Sequence, residues 1–150
     1  MSPVRNDLTT LFETEQEAAI ALKALEGVVG APEAQACLDE LHFTLRWFCS
    51  GLALYVRRPA RRATLDQGVA IPLAEQLSAA PTGVDRIRLV TRTQRAVLAR
   101  VESVLAGSLA PDLRVFLEQS RAVLTQNIHC CEQAIASLDR QREVHPDLDL

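Results

Sequence analysis

Apolar residues recur every three or four positions along four long segments of the chain, which is the period of an amphipathic helix. Glycine and proline residues, which end helices, stand between these segments. The pattern predicts four long helices, running from about Asp7 to Val28, from Pro32 or Glu33 to about Arg58, from just after Thr82 to about Gly107, and from Pro111 to about Gln141. No segment shows the alternation that is typical of a strand. The predicted fold class is therefore all-α.

The connections between the helices predict the topology. The first and the last connection are short, so each pair of helices that they join is expected to be an antiparallel hairpin. The middle connection, 59–80, is long enough to return along a helix of about 38 Å, and LAEQL at 73–77 predicts one short helix within it. We therefore predict a four-helix bundle with a long crossover between helices 2 and 3. An up-down bundle with a long loop is the alternative.

Length and composition fit a single domain, 1–150, with an ordered part at about 7–141 and a loose acidic tail at 142–150. Apolar residues make up 48% of the chain and the net charge is −3, so no overall attraction to nucleic acid or acidic lipid is expected. The basic run RRPARR at 57–62 ends a helix and contains no aromatic residue, so it does not indicate a nucleic-acid surface.

Compartment and source are inferred from the same composition. The N-terminus has no apolar signal segment, and no stretch approaches the roughly 20 apolar residues of a membrane span. The chain carries fifteen arginines and a single lysine, Lys23, which is typical of a GC-rich bacterial genome. We therefore expect a cytoplasmic bacterial protein with no membrane partner.

Polar residues interrupt the apolar arcs of the long helices, and two of them, Ser120 and Asn127, lie inside the arc of helix 4. Glu15 lies close to the centre of the arc on helix 1, Gln94 on helix 3 and Asn127 on helix 4, and Thr44 lies to one side of the arc on helix 2. In the crossover topology these positions are about 18–20 Å from the same end of the bundle. A buried carboxylate without partners costs several kcal/mol, and amides and hydroxyls can supply hydrogen bonds. We therefore predict a buried polar layer of these four residues as the candidate ligand site.

Three stretches resemble the ferritin-like superfamily and, more narrowly, an uncharacterised bacterial ferritin-like group: LFETEQEAA at 11–19, TRTQRAVLARV at 91–101 and NIHCCE at 127–132. The resemblance covers about residues 7 to 140. It implies a ferritin-like four-helix bundle with the long crossover between helices 2 and 3. It also implies a di-iron site, for which the family uses a Glu on each of two helices and a Glu-x-x-His on each of the other two.

The chain departs from that di-iron motif at most positions. Glu15 matches the family's first-helix Glu, but Gln94 stands at the third-helix Glu position and no Glu-x-x-His occurs. On helix 2, Asp39-x-x-His42 comes nearest, although Asp39 points away from the core. On helix 4 the inward residue is Asn127. Because two irons need about four carboxylates, we expect no cofactor. In the alternative, iron or another metal is retained by Glu15 and His42.

A second apolar stripe follows the outer face of helix 2, through Ala36, Phe43, Trp47 and Leu54. Exposed aromatic side chains in such a stripe indicate a partner surface. The functional interpretation is a homodimer that packs through Phe43, Trp47 and Leu54. The alternative is that the crossover 59–80 covers the stripe with its apolar side chains: Val69, Ile71, Leu73 and Leu77.

The four cysteines are predicted to be reduced and to act as small apolar side chains. Cys37 and Cys49 are twelve residues apart on one predicted helix, about 18 Å, which is too far for a disulfide. Cys130 and Cys131 are neighbours, which also disfavours a bond between them. No spacing of cysteines indicates zinc.

These observations favour a non-enzymatic binding or interaction module, a degenerate ferritin-like bundle that has lost its di-iron site and forms a homodimer. No catalytic residue is predicted, and the sequence does not identify a protein partner. Two alternatives stay open: a metal-binding or di-iron-like redox protein that uses Glu15 and His42, and a bundle that binds a small ligand beside the polar layer.

Overall fold

The computed structural model describes residues 3–23, 32–56, 73–80 and 82–147, and the regular structure within them is entirely helical. There are five helices in this part of the chain: α1 (Pro3–Lys23), α2 (Pro32–Leu52), α3 (Leu73–Ala79), α4 (Gly83–Leu105) and α5 (Pro111–Val144). The all-α prediction is confirmed, and so is the short helix predicted at 73–77. None of the helices described combines the length and the apolar character that a membrane crossing requires.

The first two helices differ from their predicted bounds. α1 begins at Pro3 rather than near Asp7, because a proline fits the first turn, where no backbone N–H is needed. α2 ends at Leu52 rather than near Arg58. Beyond Leu52 the backbone N–H of Tyr55 donates to the carbonyl of Leu52, a three-residue bond that tightens the chain into a turn. The predicted helix ends at Val28 and Arg58 lie outside the described residues.

The last two helices agree more closely with the pattern. α4 begins after Thr82, whose hydroxyl accepts a hydrogen bond from the Asp85 N–H at 3.1 Å and donates to the Asp85 carboxylate at 2.8 Å. This reciprocal capping is a strong start signal. α5 continues to Val144, three residues past the predicted end at Gln141, so the beginning of the predicted tail is helical.

Side-chain contacts give the relative directions of the four long helices. α1 packs against α2 and α4, and α5 packs against the same two helices. In the contacts between α1 and α4, α2 and α5, and α4 and α5, the residue number falls along one helix as it rises along the other: Asp7–Arg100 and Glu15–Gln94, Cys37–Cys131 and Tyr55–Asp112, Arg88–Asp139 and Arg95–Glu132. These pairs of helices are antiparallel. Since α2 and α4 both oppose α5, they point in the same direction.

α3 closes one end of the core against α1 and α4. The Glu17 carboxylate on α1 accepts a hydrogen bond from the Leu73 N–H at 2.9 Å, and the Arg86 side chain on α4 donates to the Leu77 carbonyl at 3.2 Å. Leu73 and Leu77 are buried among core residues. They therefore do not cover the outer stripe of α2, which corrects that alternative for these two residues. Val69 and Ile71 lie outside the described part of the chain.

The core of the described residues consists of two apolar clusters, one toward each end of the long helices. The cluster beside α3, which we call the alanine half, combines leucines with many small side chains: Ala18, Ala19, Ala21, Ala34, Cys37, Cys131 and Ala134. The other, the aromatic half, is centred on Phe48 and bordered by Phe12, Tyr55 and Phe116. A side chain on Gly51 would overlap the Phe116 ring, so glycine is what lets α2 and α5 approach there.

Candidate functional site

Among the described residues, six buried polar side chains belong to neither half of the core: Glu15, Thr44, Thr91, Gln94, Ser120 and Asn127. Four of them are the predicted polar layer. The Thr91 and Ser120 hydroxyls donate to carbonyls of their own helices, at 2.7 and 2.8 Å, and so are satisfied locally. Thr91 is also buried, one turn before Gln94 on the same face of α4. Its spacing from Gln94 could have predicted this burial.

Glu15 and Gln94 form the centre of this layer. Both side chains are at most 1% exposed, and the Gln94 amide donates from Nε2 to Glu15 Oε1 at 3.1 Å, which joins α1 to α4. Glu15 Oε2 and Gln94 Oε1 have no hydrogen-bond partner among the described residues. The pair therefore leaves one carboxyl oxygen and one amide oxygen buried and free to bond.

Burial controls the charge of Glu15. Desolvation raises the pKa of this carboxyl from 4.5 to about 8, although the hydrogen bond from Gln94 acts in the opposite direction. At neutral pH the side chain is therefore mainly the uncharged acid, and its O–H is a donor. A neutral acid explains why the core tolerates this residue without a cation beside it.

The other two predicted members are buried but stand apart from the acid. No hydrogen bond in the described part of the chain joins Thr44 or Asn127 to Glu15, and Asn127 Nδ2 has no partner. We predicted that several neighbouring helices would bring hydrogen-bond donors to Glu15. This is wrong, because among the described residues only the Gln94 amide donates to it. α1, which carries Glu15, packs against α2 and α4, whereas Asn127 lies on α5. The short Asn127 side chain therefore does not extend as far as Glu15.

Cys49 on α2 is a further neighbour of Glu15, outside the predicted polar layer. Its thiol is half-buried, 4.0 Å from the Phe12 carbonyl. Desolvation and the nearby Glu15 charge raise the pKa of Cys49 to about 12, so it stays a neutral thiol. His42, the proposed second metal ligand, is half-buried on α2, and no described contact joins it to Glu15. Across the described ranges, no three His, Cys, Asp or Glu side chains are placed to hold one metal ion.

A pair of thiols across two helices was missed altogether. Cys37 on α2 and Cys131 on α5 are both buried, and their sulfur atoms are 3.2 Å apart. The prediction tested each cysteine only against its sequence neighbours. An antiparallel register of α2 with α5 was the signal that could have brought these residues together.

The outer stripe of α2 is exposed, as its pattern predicted. Phe43 is 70% and Leu54 is 82% accessible, while Trp47 is 38% accessible because its ring packs on Phe116, with centroids 5.4 Å apart. Large apolar side chains this open on one helix are candidates for burial by a partner.

Neither a protein-family model, nor a curated protein, nor a solved structure matches the chain. Its function is therefore inferred from the two features just described. The polar layer offers a neutral acid and free amide groups, which can hydrogen-bond but contain no activated nucleophile. The α2 stripe offers apolar area, which can bind another protein surface.

Proposed function

We propose that the chain is a ferritin-like four-helix bundle, with a long crossover between α2 and α4, that acts as a non-enzymatic interaction module. The common direction of α2 and α4 supports the crossover, because the chain between them must return along the bundle. The antiparallel packing of α1 with α4 and of α2 with α5 supports the ferritin-like pairing. The resemblance in 11–19, 91–101 and 127–132 points the same way.

The donor set of the polar layer does not fit a di-iron centre. Two irons need about four carboxylates, and the layer supplies Glu15 alone, with Gln94 and Asn127 as neutral amides. We infer that the layer is what remains of a lost metal site and that it now fixes the register between α1 and α4.

The interaction surface that we propose is the α2 stripe, and its occupant is a second copy of the chain. An antiparallel pairing of two α2 helices centred near Phe43 would place Asp39 close to Arg46 of the partner subunit, on the same flank of the contact. It would also place Trp47 over the small Ala36 of the partner subunit. Opposite charges on the flank and a large ring against an alanine are the complementarity that such a dimer needs. The exposure of Phe43 is the observation that carries this proposal.

Sedimentation or light scattering tests the dimer. The wild-type protein should have about twice the mass of one 16.5 kDa chain, and Phe43→Glu should halve it, because a buried charge at the centre of the contact is unfavourable. Ile20→Glu is the matched control, since Ile20 is 63% exposed on α1 and lies outside the stripe. A wild-type monomer, or a Phe43→Glu variant of unchanged mass, would reject this surface. Trp47→Glu gives an independent readout at the same stripe.

A second candidate function is the binding of a small polar ligand or a metal ion in the layer, with His42 as a further donor. The observation in its favour is that three buried polar atoms of the layer lack partners among the described residues: Glu15 Oε2, Gln94 Oε1 and Asn127 Nδ2. Elemental analysis of protein purified with iron, manganese or zinc separates the two candidates. Stoichiometric metal that is lost in Glu15→Ala would replace the first proposal.

A further inference from the structure

The closest pair of thiols in the described part of the chain joins α2 to α5 inside the alanine half. Cys37 Sγ lies 3.2 Å from Cys131 Sγ, although the residues are 94 positions apart in sequence. A disulfide bond has a length of about 2.05 Å, so the sulfur atoms need to approach by only about 1.2 Å.

Cys37 of this buried pair lines an open pocket, whereas Cys131 lies behind it. The pocket holds about 470 Å³, and its other lining residues, among them Cys130 and Arg140, belong to α5. Both Cys37 and Cys131 are at most 4% exposed, whereas Cys130 is half-buried. Hydrogen peroxide that enters this pocket comes next to Cys37 and is then one sulfur contact away from Cys131.

The two thiols also polarise each other. The hydrogen bond with Cys37 lowers the pKa of the Cys131 thiol against the effect of burial. The pKa of Cys37 is raised, first because it bonds to Cys131 and then because it is desolvated. The contact therefore makes Cys131 easier to deprotonate than Cys37, and the thiolate is the form that reacts with oxidants.

We propose that Cys37 and Cys131 are a thiol pair that hydrogen peroxide oxidises to a reversible disulfide between α2 and α5. One sulfur, as thiolate, attacks a peroxide oxygen: an S–O bond forms, the O–O bond breaks, and the hydroxide that leaves takes up a proton as water. The other sulfur then attacks the sulfenic sulfur, so that the S–S bond forms, the S–O bond breaks and a second water leaves. The two thiols lose two electrons and one peroxide becomes two waters. A dithiol reductant reverses the reaction by exchange.

The disulfide would tie together two helices that the chain itself connects only through distant segments. Cross-links that close long loops restrict the unfolded chain most. Oxidation should therefore raise the melting temperature of the folded protein, and reduction should return it to its starting value. Cytosolic disulfides of this kind are commonly transient and sense oxidants.

Mass spectrometry of the oxidised protein identifies the bond. Trypsin releases Cys37 in the peptide 24–46, and Cys130 and Cys131 together in 122–140. After treatment of the folded full chain with hydrogen peroxide and alkylation of free thiols, we expect these two peptides to be linked, with the mass of their sum less two hydrogen atoms. The link should disappear with dithiothreitol, and Cys49 should remain available to the alkylating reagent.

Two variants assign the partner within 122–140. Cys130→Ser leaves Cys131 as the only thiol in that peptide and should give the same link in the same yield, whereas Cys131→Ala should abolish it. Retention of the link in Cys131→Ala together with its loss in Cys130→Ser would overturn the proposal, and so would four free thiols in the oxidised wild type. If Cys131→Ala fails to fold by circular dichroism, the Cys130→Ser result decides the matter alone.

Discussion

The two halves of the core are filled by different kinds of side chain. The aromatic half buries Phe48 completely and gathers the rings of Trp47, Phe48 and Tyr55 around Phe116, with centroids 5.4 to 6.1 Å away. The alanine half has no buried aromatic residue among those described, and uses five alanines and two cysteines between its leucines. The polar layer around Glu15 and Gln94 separates the halves.

The two halves should therefore respond differently to substitution and to oxidation. Large rings fill volume and are sensitive to truncation, because the cavity that remains cannot collapse. Small side chains leave room for helices to approach, and that is what brings two sulfur atoms to 3.2 Å. The alanine half also depends on α3 as a cover, which is attached through Glu17 and Arg86. We therefore expect the aromatic half to contribute most to the free energy of unfolding, and the alanine half to be the part that oxidation changes.

The largest effect is expected from truncation in the aromatic half. Phe48→Ala should lower the free energy of unfolding by about 3–5 kcal/mol, because it removes a fully buried ring from a cluster of rings. Urea or guanidinium melts followed by circular dichroism measure this. A loss below about 1 kcal/mol would show that the aromatic half does not dominate stability.

The next largest effect is a pH dependence that comes from the layer between the halves. Burial raises the pKa of folded Glu15 above its ordinary value of 4.5, to about 8, so the folded state favours the proton. The stabilising contribution is complete below about pH 4.5 and is lost as the pH rises toward about 8, which amounts to about 3 kcal/mol between pH 5 and 8.

The matched control for this pH dependence is Glu15→Gln, which keeps a neutral side chain of the same length. We expect it to be neutral or mild near pH 5 and more stable than the wild type at pH 9. The measurement is the difference between the two free energies of unfolding across that range. A difference that does not change with pH would mean that Glu15 is not a buried acid.

Gly51→Ala tests how tightly the aromatic half is packed. Alanine favours a helix over glycine by about 1 kcal/mol, but its methyl group would overlap the Phe116 ring. We expect the steric overlap to outweigh the gain in helix propensity, so that the free energy of unfolding falls by about 1–3 kcal/mol. In a Phe116→Ala background the same change should become neutral or stabilising, and a double-mutant cycle of chemical melts measures the coupling. An additive cycle would contradict the proposed contact.

The smallest expected effect concerns the cover of the alanine half. Glu17→Ala removes the acceptor for the Leu73 N–H and should cost about 1 kcal/mol in global stability. Its local effect should be larger, with faster amide hydrogen exchange in α3 and little change in α5. Glu13→Ala, one turn earlier on α1, is the control. Unchanged exchange in α3 would show that this bond does not hold the cover in place.

The sequence predicts the inward face of each helix well, because that face depends only on the period within one helix. For this reason Glu15, Gln94 and Asn127 were all expected to be buried, and they are. Which atoms meet depends on the register between helices and on side-chain reach. That is why Gln94 bonds Glu15 whereas Asn127 does not, and why the contact between Cys37 and Cys131 was not foreseen. The end of α2 at Leu52 was missed because no proline or helix-breaking pair marks it.

The direct test of the central claim, a neutral acid buried between the two halves, is a carbon-13 NMR titration of glutamate side-chain carboxyls. Glu15→Gln assigns the Glu15 signal by its absence. We predict that this signal keeps the chemical shift of a protonated carboxyl at pH 6 and titrates near pH 8. A signal that is already ionised at pH 6 and titrates below pH 5 would contradict the account.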